Sequence, residues 1–262
     1  TGIVRLLREY EQGLLAASER LEQLADVRRS FLHVVVHDVR SPVGTVVAML
    51  EGLGNGIDGP LSEAQKQRVE RAGARLRSAL DLLHGLRVLA DLETEGLDGL
   101  MAPVDVPATV AAAVEDHLDA AAQKRQKIEA VPSGPLPPIH GIERLIREAL
   151  ANYLSNAIKY TGEGGAITVR AVPRGPRVRI EVVDNGPGIG VEEQARLFQE
   201  FTRVSRAGGD DRKVSGLGLG LSIVRRIAEA HHGRAGVESR PGQGSTFFIE
   251  LPAGSAAEAR AQ

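Results

Sequence analysis

Apolar side chains recur at alternating spacings of three and four from the start of the chain. Leu7, Tyr10, Leu14, Ala17, Leu21, Leu24, Phe31 and Val35 follow this rule, and Arg28 alone breaks it. That period marks a helix whose apolar seam wants a second helix, most simply a copy of itself in a parallel dimer. A single amphipathic helix lying on a globular core is the other arrangement the pattern allows. Gly52 to Pro60, with Asn55 and Asp58 inside, reads as a turn. Ser62 followed by Gln65 forms a capping-box pattern. Val69, Ala72, Leu76, Ala79, Leu83, Leu86 and Ala90 then repeat the three-four spacing. Two such helices joined by a turn make an antiparallel hairpin. One hairpin cannot bury both seams; two would close a four-helix bundle by dimerising.

The pattern changes at Gly96–Pro103, where glycines, Asp98 and a proline suggest a linker. Val106 to Gln123 looks helical, and Pro132 to Pro138 reads as a loop. Ile142 to Tyr160 is a strongly patterned helix with Leu145, Ile146, Ala149, Leu150, Leu154, Ala157 and Ile158 apolar. Ile167–Val172 and Val178–Val183 alternate as strands, Glu192–Phe198 and Leu219–Ala230 read as helices, and Gly236–Ser239 and Ser245–Leu251 as closing strands. Consecutive strands with helices before and after them predict an α+β two-layer sandwich. The expected fold is therefore two domains, an all-α helical hairpin and an α+β sandwich.

Composition narrows the function classes. The 262 residues suit two domains, with 42% apolar and 25% charged residues, as in an ordinary folded protein. A net charge of −2 gives no reason to expect a nucleic-acid partner. The absence of Cys excludes disulfide frameworks and thiolate metal sites. No apolar run approaches a bilayer span and no signal peptide opens the sequence. The chain starts at Thr1 rather than Met. It reads as a cytoplasmic fragment without direct membrane contact, which leaves open an anchor in a longer parent.

Candidate chemistry collects in a few places. His37 flanks the heptad seam, so its ring should face solvent, where a neutral imidazole is a competent nucleophile near pH 7. Asp38 can hold one ring N–H and leave the other nitrogen's lone pair free. Pro42 removes a helix hydrogen bond to the Asp38 carbonyl and should kink the helix there. A histidine on a helix is usually a plain surface residue, and His33, His84, His117, His140, His231 and His232 keep that reading. Asn152 and Asn156 are four apart and share a helix face. Their amide oxygens are hard donors suited to Mg2+, although two such Asn can equally cap or line a helix. Lys159 adds a cation one turn on, and Tyr160 an aromatic surface.

Asp184 closes a strand rich in Val and Ile and precedes Gly186 and Gly188. A carboxylate there can accept a hydrogen bond from an adenine amino group, while the glycines let the main chain approach the base. Asp-Asn-Gly is also a common turn. Arg203 to Ser215 is polar and reads as a loop. Gly216-Leu217-Gly218-Leu219-Gly220 then enters a helix, whose free N–H groups make an anion site. This is neither a Walker loop nor a Rossmann fingerprint, since no Gly-Lys-Ser/Thr follows and no strand directly precedes it. Gly242-x-Gly244-Ser245-Thr246 reads as a hairpin turn into the last strand.

In this order the motifs closely resemble the cytoplasmic core of bacterial two-component sensor histidine kinases, over roughly Phe31 to Pro252. Phe31 to Pro42 resembles the family's phosphoacceptor box, with His37 at the phosphorylated position. Leu150 to Thr161 resembles the N box, Asp184 to Ile189 the first glycine box, Leu197 to Arg203 the F box, and Gly216 to Val224 the second glycine box. The heptad seam gives a signalling coiled-coil helix at 1–30, the resemblance implies a dimerisation and phosphotransfer domain at 31–98 and a Bergerat-type ATP-binding domain at 103–254, and the residues at 255–262 read as a disordered tail. It implies that Asn156 ligates Mg2+, that Asp184 reads adenine, that Lys159 and Arg203 neutralise phosphates, and that Tyr160 packs near the base. Asn152, Gly186, Gly188, Ile189, the Gly216–Gly220 run (Gly216, Leu217, Gly218, Leu219 and Gly220) and Thr246 would complete the ATP site. The implied partners are a second copy of the chain, the receiver domain of a response regulator, and a sensor domain upstream in the parent.

Two departures stand out. Val36 replaces the Ser that many members carry before the histidine. Ser41 stands where members with phosphatase activity usually have Thr or Asn, which leaves that activity open. Two other functions compete. ATP hydrolases and clamps of the same superfamily place a water-activating carboxylate where this chain has Asn152, a poor base. A non-catalytic dimeric scaffold would let the ATP motifs decay, and none has decayed.

Overall fold

The computed structural model describes residues 2–57, 59–92, 97–132, 134–199 and 218–254. The chain divides into two compact units, Thr1–Glu95 and Gly96–Gln262.

The first unit is a helical hairpin of α1 (Gly2–Gly54) and α2 (Glu63–Leu92). α1 continues through Pro42 without a break. The proline removes one helix bond, to the Asp38 carbonyl, and the flanking turns carry the helix across; the Thr45 hydroxyl donates to the Ser41 carbonyl at 3.1 Å. The expected turn begins later than its glycines suggest, because Gly52 and Gly54 are still helical. Gly56 and Gly59, with φ of 79° and 106°, make the reversal. The capping box forms as the sequence predicts: Gln65 Oε1 accepts from the Ser62 N–H at 2.9 Å, and Ser62 Oγ accepts from the Gln65 N–H at 3.4 Å. Arg77 and Glu51 pair across the hairpin at 3.0 Å. Val47 on α1 and Gly73, Gly85, Val88 and Ala90 on α2 are buried. Tyr10, Leu24, Val39, Val46 and Met49 stay exposed in the single chain, so apolar surface remains on the outside of α1.

The second unit is a two-layer sandwich. A two-stranded ladder pairs β1 (Ala102–Val104) with β3 (Ile139–Gly141). The main sheet has the order β2-β4-β5-β7-β6, with β2 (Lys127–Ala130), β4 (Ala166–Arg174), β5 (Arg177–Asp184), β7 (Ser245–Pro252) and β6 (Arg234–Ser239). Only β2 joins its neighbour, β4, in parallel. The helices are α3 (Val106–Glu115), α4 (Leu118–Gln123), α5 (Glu143–Tyr160), the short α6 (Val191–Gln194) and α7 (Gly220–Ala230). The helix expected over Val106–Gln123 is broken at Asp116 and His117. There the Asp116 carboxylate accepts from Arg147 Nε at 3.1 Å, and His117 Nδ1 bonds the Ala113 carbonyl at 2.8 Å. The His117 ring takes the Ala113 carbonyl that a continuing helix would give to the His117 N–H, and that N–H reaches the Val114 carbonyl at 3.0 Å instead.

The core lies between the sheet and α3, α5 and α7. Leu145, Ile146, Ala149, Leu150, Tyr153, Leu154 and Ala157 of α5 are buried against Ile167, Val169, Ile180, Val182 and Ile249. Tyr153 is fully buried; its hydroxyl donates to the Phe248 carbonyl at 2.9 Å and its ring lies 5.4 Å from that of Phe247. Burial holds this phenol well above its ordinary pKa, so it stays a donor. The opposite sheet face carries charge. Arg179 stacks 3.6 Å from the centroid of Phe248 and reaches Glu238 at 2.7 Å. Its Nε lies 2.8 Å from Glu181 Oε1, although that N–H is not aimed at a partner. Arg170 and Arg234 close the ladder on Glu181 and Glu250 at 2.7 and 2.6 Å.

Candidate functional site

The first unit presents His37 on the open surface of α1, with its side chain 85% exposed. Val36 beside it is buried and fixes which face of the helix turns inward. His37 Nδ1 lies 3.2 Å from Asp38 Oδ1. An ionised carboxylate can only accept, so this contact favours the tautomer with the proton on Nδ1 and leaves the Nε2 lone pair outward. Ser41 is also exposed.

In the second unit the asparagine and glycine motifs meet around α5. Asn152 Nδ2 donates to the Glu148 carbonyl at 3.0 Å, which turns its Oδ1 toward the start of α7. There a Cβ on Gly220 would come within 2.6 Å of that oxygen, so any larger residue would push the Asn152 amide aside. Gly218 has φ 75°, a backbone that favours glycine, and leads into the helix. Leu219 is buried and anchors the motif in the core. One turn beyond Asn152 along α5, Asn156 is half-buried, and Lys159 Nζ lies 5.2 Å from the ring centroid of the exposed Tyr160.

Asp184 sits at the end of β5, only 8% exposed, and its Oδ1 accepts from the Gly186 N–H at 2.8 Å. A Cβ on Gly186 would lie 2.7 Å from that oxygen and 3.5 Å from both the Thr161 hydroxyl and the Tyr160 carbonyl. The strand end and the last turn of α5 therefore share one corner. Gly188, with φ 70°, lies under Arg240, whose carbonyl a Cβ would strike at 1.9 Å. Ile189 is buried, and its N–H donates to Ser239 Oγ at 2.9 Å.

Of the sequence-predicted nucleotide residues, Asn152, Asn156, Lys159, Tyr160, Asp184, Gly186 and Gly220 thus lie along α5 and the two segments packed on it. Thr246 does not join them. It pairs with Val183 and Glu238, one register step from Asp184, and cross-strand partners share a face while neighbours alternate. The residue opposite Asp184 is Ser245, buried and 3.0 Å from Ser239 Oγ. A one-residue step in strand register is invisible without the pairing, which is why the sequence pointed to the neighbour. Arg203, Gly216 and Leu217, with the loop expected over Arg203–Ser215, lie outside the described residues.

Two family models match the chain. One is the His Kinase A (phospho-acceptor) domain, over residues 27–95. The other is the histidine kinase-, DNA gyrase B-, and HSP90-like ATPase, over residues 141–255. The chain belongs to the two-component sensor histidine kinases. It is similar to the adaptive-response sensory kinase SasA of Synechococcus sp. (strain JA-2-3B'a(2-13)), with 34% identity over 251 residues, 94% of this chain and 66% of that one. It is also similar to the sensor-like histidine kinase SenX3 of Mycolicibacterium smegmatis, with 35% identity over 96% of this chain and 65% of that one. The chain thus spans slightly less than two thirds of these relatives' length. Among solved structures, full-length ShkA in complex with AMPPNP aligns with a TM-score of 0.62 and 32% identity, covering 86% of this chain and 46% of that one. Most of the second unit is thus the ATPase-type domain of a histidine kinase core. Among the described residues, no helix is long and apolar enough to cross a membrane.

Proposed function

We propose that this chain phosphorylates itself on His37 from ATP and passes the phosphoryl group to an aspartate in a response-regulator receiver domain. The observation that carries the reading is the meeting of three separate motifs on α5: Gly220 at Asn152, and Gly186 with Asp184 at Tyr160–Thr161. In the step proposed, the Nε2 lone pair of His37 attacks the γ-phosphorus while Asp38 holds the Nδ1 proton. The P–O bond to ADP breaks as the P–N bond forms, and the leaving oxygen carries the electron pair away on ADP. Positioning and charge neutralisation supply most of the rate in such transfers.

Within the ATP site, the carboxylate of Asp184 accepts from the adenine amino group, Tyr160 packs near the base, and Lys159 and Arg203 neutralise phosphate charge. The donor set fits Mg2+, which takes hard oxygens together with phosphates and water. Asn152 Oδ1 is turned to Gly220, so Asn156 is the amide that would hold the ion. When bound, the metal would offset charge on the β- and γ-phosphates.

The exposed Val39, Val46 and Met49 support a homodimer in which two hairpins cover each other's seams. A cytoplasmic location fits the ATP chemistry and the soluble partner. The deciding experiment is incubation with γ-labelled ATP. An acid-labile, base-stable label that disappears in His37→Gln, with ATP affinity retained, is expected. A label persisting in that variant would place the acceptor elsewhere.

A further inference from the structure

The last turn of α5 carries Lys159 and Tyr160 and ends against Gly186, so its carbonyl end must be fixed for the site to keep its shape. Helix C-termini leave carbonyls without intrahelical partners. Here the partners come from the turn between α4 and β2. Lys124 Nζ donates to the Ile158 carbonyl at 2.8 Å and to the Lys159 carbonyl at 3.0 Å. Gln126, which is buried, donates through Nε2 to the carbonyls of Ile158 at 3.1 Å, Thr161 at 2.7 Å and Gly162 at 3.2 Å. A cation at a helix C-terminus also meets the favourable end of the helix dipole.

Arg125 lies between these two residues with φ 54°, a conformation unfavourable for a side chain with a Cβ. Its guanidinium pairs with Glu163 at 3.0 Å, and the Gly164 N–H donates to the Lys124 carbonyl at 3.1 Å. The turn and the segment after α5 are therefore clasped by main chain and side chain together.

We infer that Lys124 and Gln126 are positioning residues of the nucleotide site: they set the last turn of α5, and through it Lys159, Tyr160 and Thr161, against Asp184 and Gly186. This rests on the ATP site proposed above. Neither residue needs to touch the nucleotide. Loosening the clasp makes ATP binding carry the cost of ordering the turn, so affinity falls while transfer from bound ATP is retained.

The test measures ATP affinity by calorimetry, KM and kcat for labelling of His37, and the thermal midpoint. It uses the full chain as parent, Lys124→Met, Gln126→Leu, Lys124→Arg and Asp184→Ala. Lys124→Met keeps the apolar stem and decides the matter if Gln126→Leu fails to fold. At a temperature well below the midpoint, Lys124→Met is expected to raise Kd and KM for ATP about tenfold with kcat nearly unchanged, and Lys124→Arg to recover most of the loss. A lowered midpoint with unchanged Kd and KM in Lys124→Met would overturn the proposal, since a purely structural clasp leaves the folded site intact. Unchanged ATP affinity in Asp184→Ala would instead remove the nucleotide site itself, a separate failure.

Discussion

Gly244 packs directly on the main chain of Asp184: a Cβ at Gly244 would stand 2.0 Å from the Asp184 carbonyl oxygen. The hairpin before β7 thereby supports the end of β5, where the proposed adenine carboxylate sits. Gly242, in the same turn and with nearly the same φ, has nothing within 4 Å of its Cβ position. The pair separates backbone strain from steric support. Gly242→Ala should cost about 1 kcal/mol of stability and leave ATP affinity as it was. Gly244→Ala should cost more and also weaken ATP binding, because the strand end must move. Urea unfolding with calorimetry on both variants tests this, and equal ATP affinities would contradict it.

Tyr153 links α5 to β7 through its hydroxyl. Tyr153→Phe keeps the ring against Phe247 but removes a buried donor. The expected loss is about 1–2 kcal/mol in urea unfolding, with ATP affinity little changed because the ring faces the core. A variant as stable as the parent would mean that the Phe248 carbonyl is satisfied without it.

The strand register distinguishes two adjacent hydroxyls. Ser245→Ala should weaken ATP binding, because Ser245 lies opposite Asp184 and joins the Ser239 hydroxyl that receives the Ile189 N–H. Thr246→Ala, on the far face, should leave it within about twofold, or roughly 0.4 kcal/mol. The reverse ranking by calorimetry would show that the strand end is turned over in solution.

His231 is a buried histidine at the end of α7. Its Nδ1 bonds the Ile227 carbonyl at 2.7 Å, and its Nε2 accepts from the Ile142 N–H at 2.9 Å. Burial lowers its pKa below the ordinary 6.5, with the Ile227 carbonyl opposing. As pH falls, the unfolded chain takes up this proton before the folded one. The stabilisation is thus complete above about pH 6.5 and is lost as pH drops through the folded value. Stability measured by denaturant should decline over that window in the parent, and the decline should shrink in His231→Phe. Parallel curves for the two proteins would assign the acid sensitivity to other groups.

Much of the second unit was legible because its main elements turn one apolar face to the core. The apolar positions of α5 and the alternation in β4 and β5 follow directly from that requirement. Three short strands were not. β1 contains Pro103, which reads as a breaker, and lies where the linker was expected. β3 has three residues, and β2 is a half-exposed edge strand written Lys-Ile-Glu-Ala. Such segments carry too few side chains for a period to show. At the site, the motif residues on α5 and after β5 could be picked from type and spacing. Ser245 could not, since only the pairing separates it from Thr246. Lys124 and Gln126 gave no signal either, because their partners are carbonyls, which every residue possesses.

β2 joins β4 in parallel, with Lys127 opposite Ala166. Parallel neighbours cannot be joined by a tight turn and need a long crossover. In this chain the crossover contains α5. The helix bearing Asn152 and Asn156 is therefore also the bridge by which the chain reaches the next strand, so the sheet edge can close only once that bridge is laid down. Pairings this distant in sequence form slowly. A ligand held by α5 favours the closed form over the open chain by mass action. ATP held at the proposed nucleotide site is thus expected to stabilise the β2 edge as well as its own pocket, because the same helix serves both.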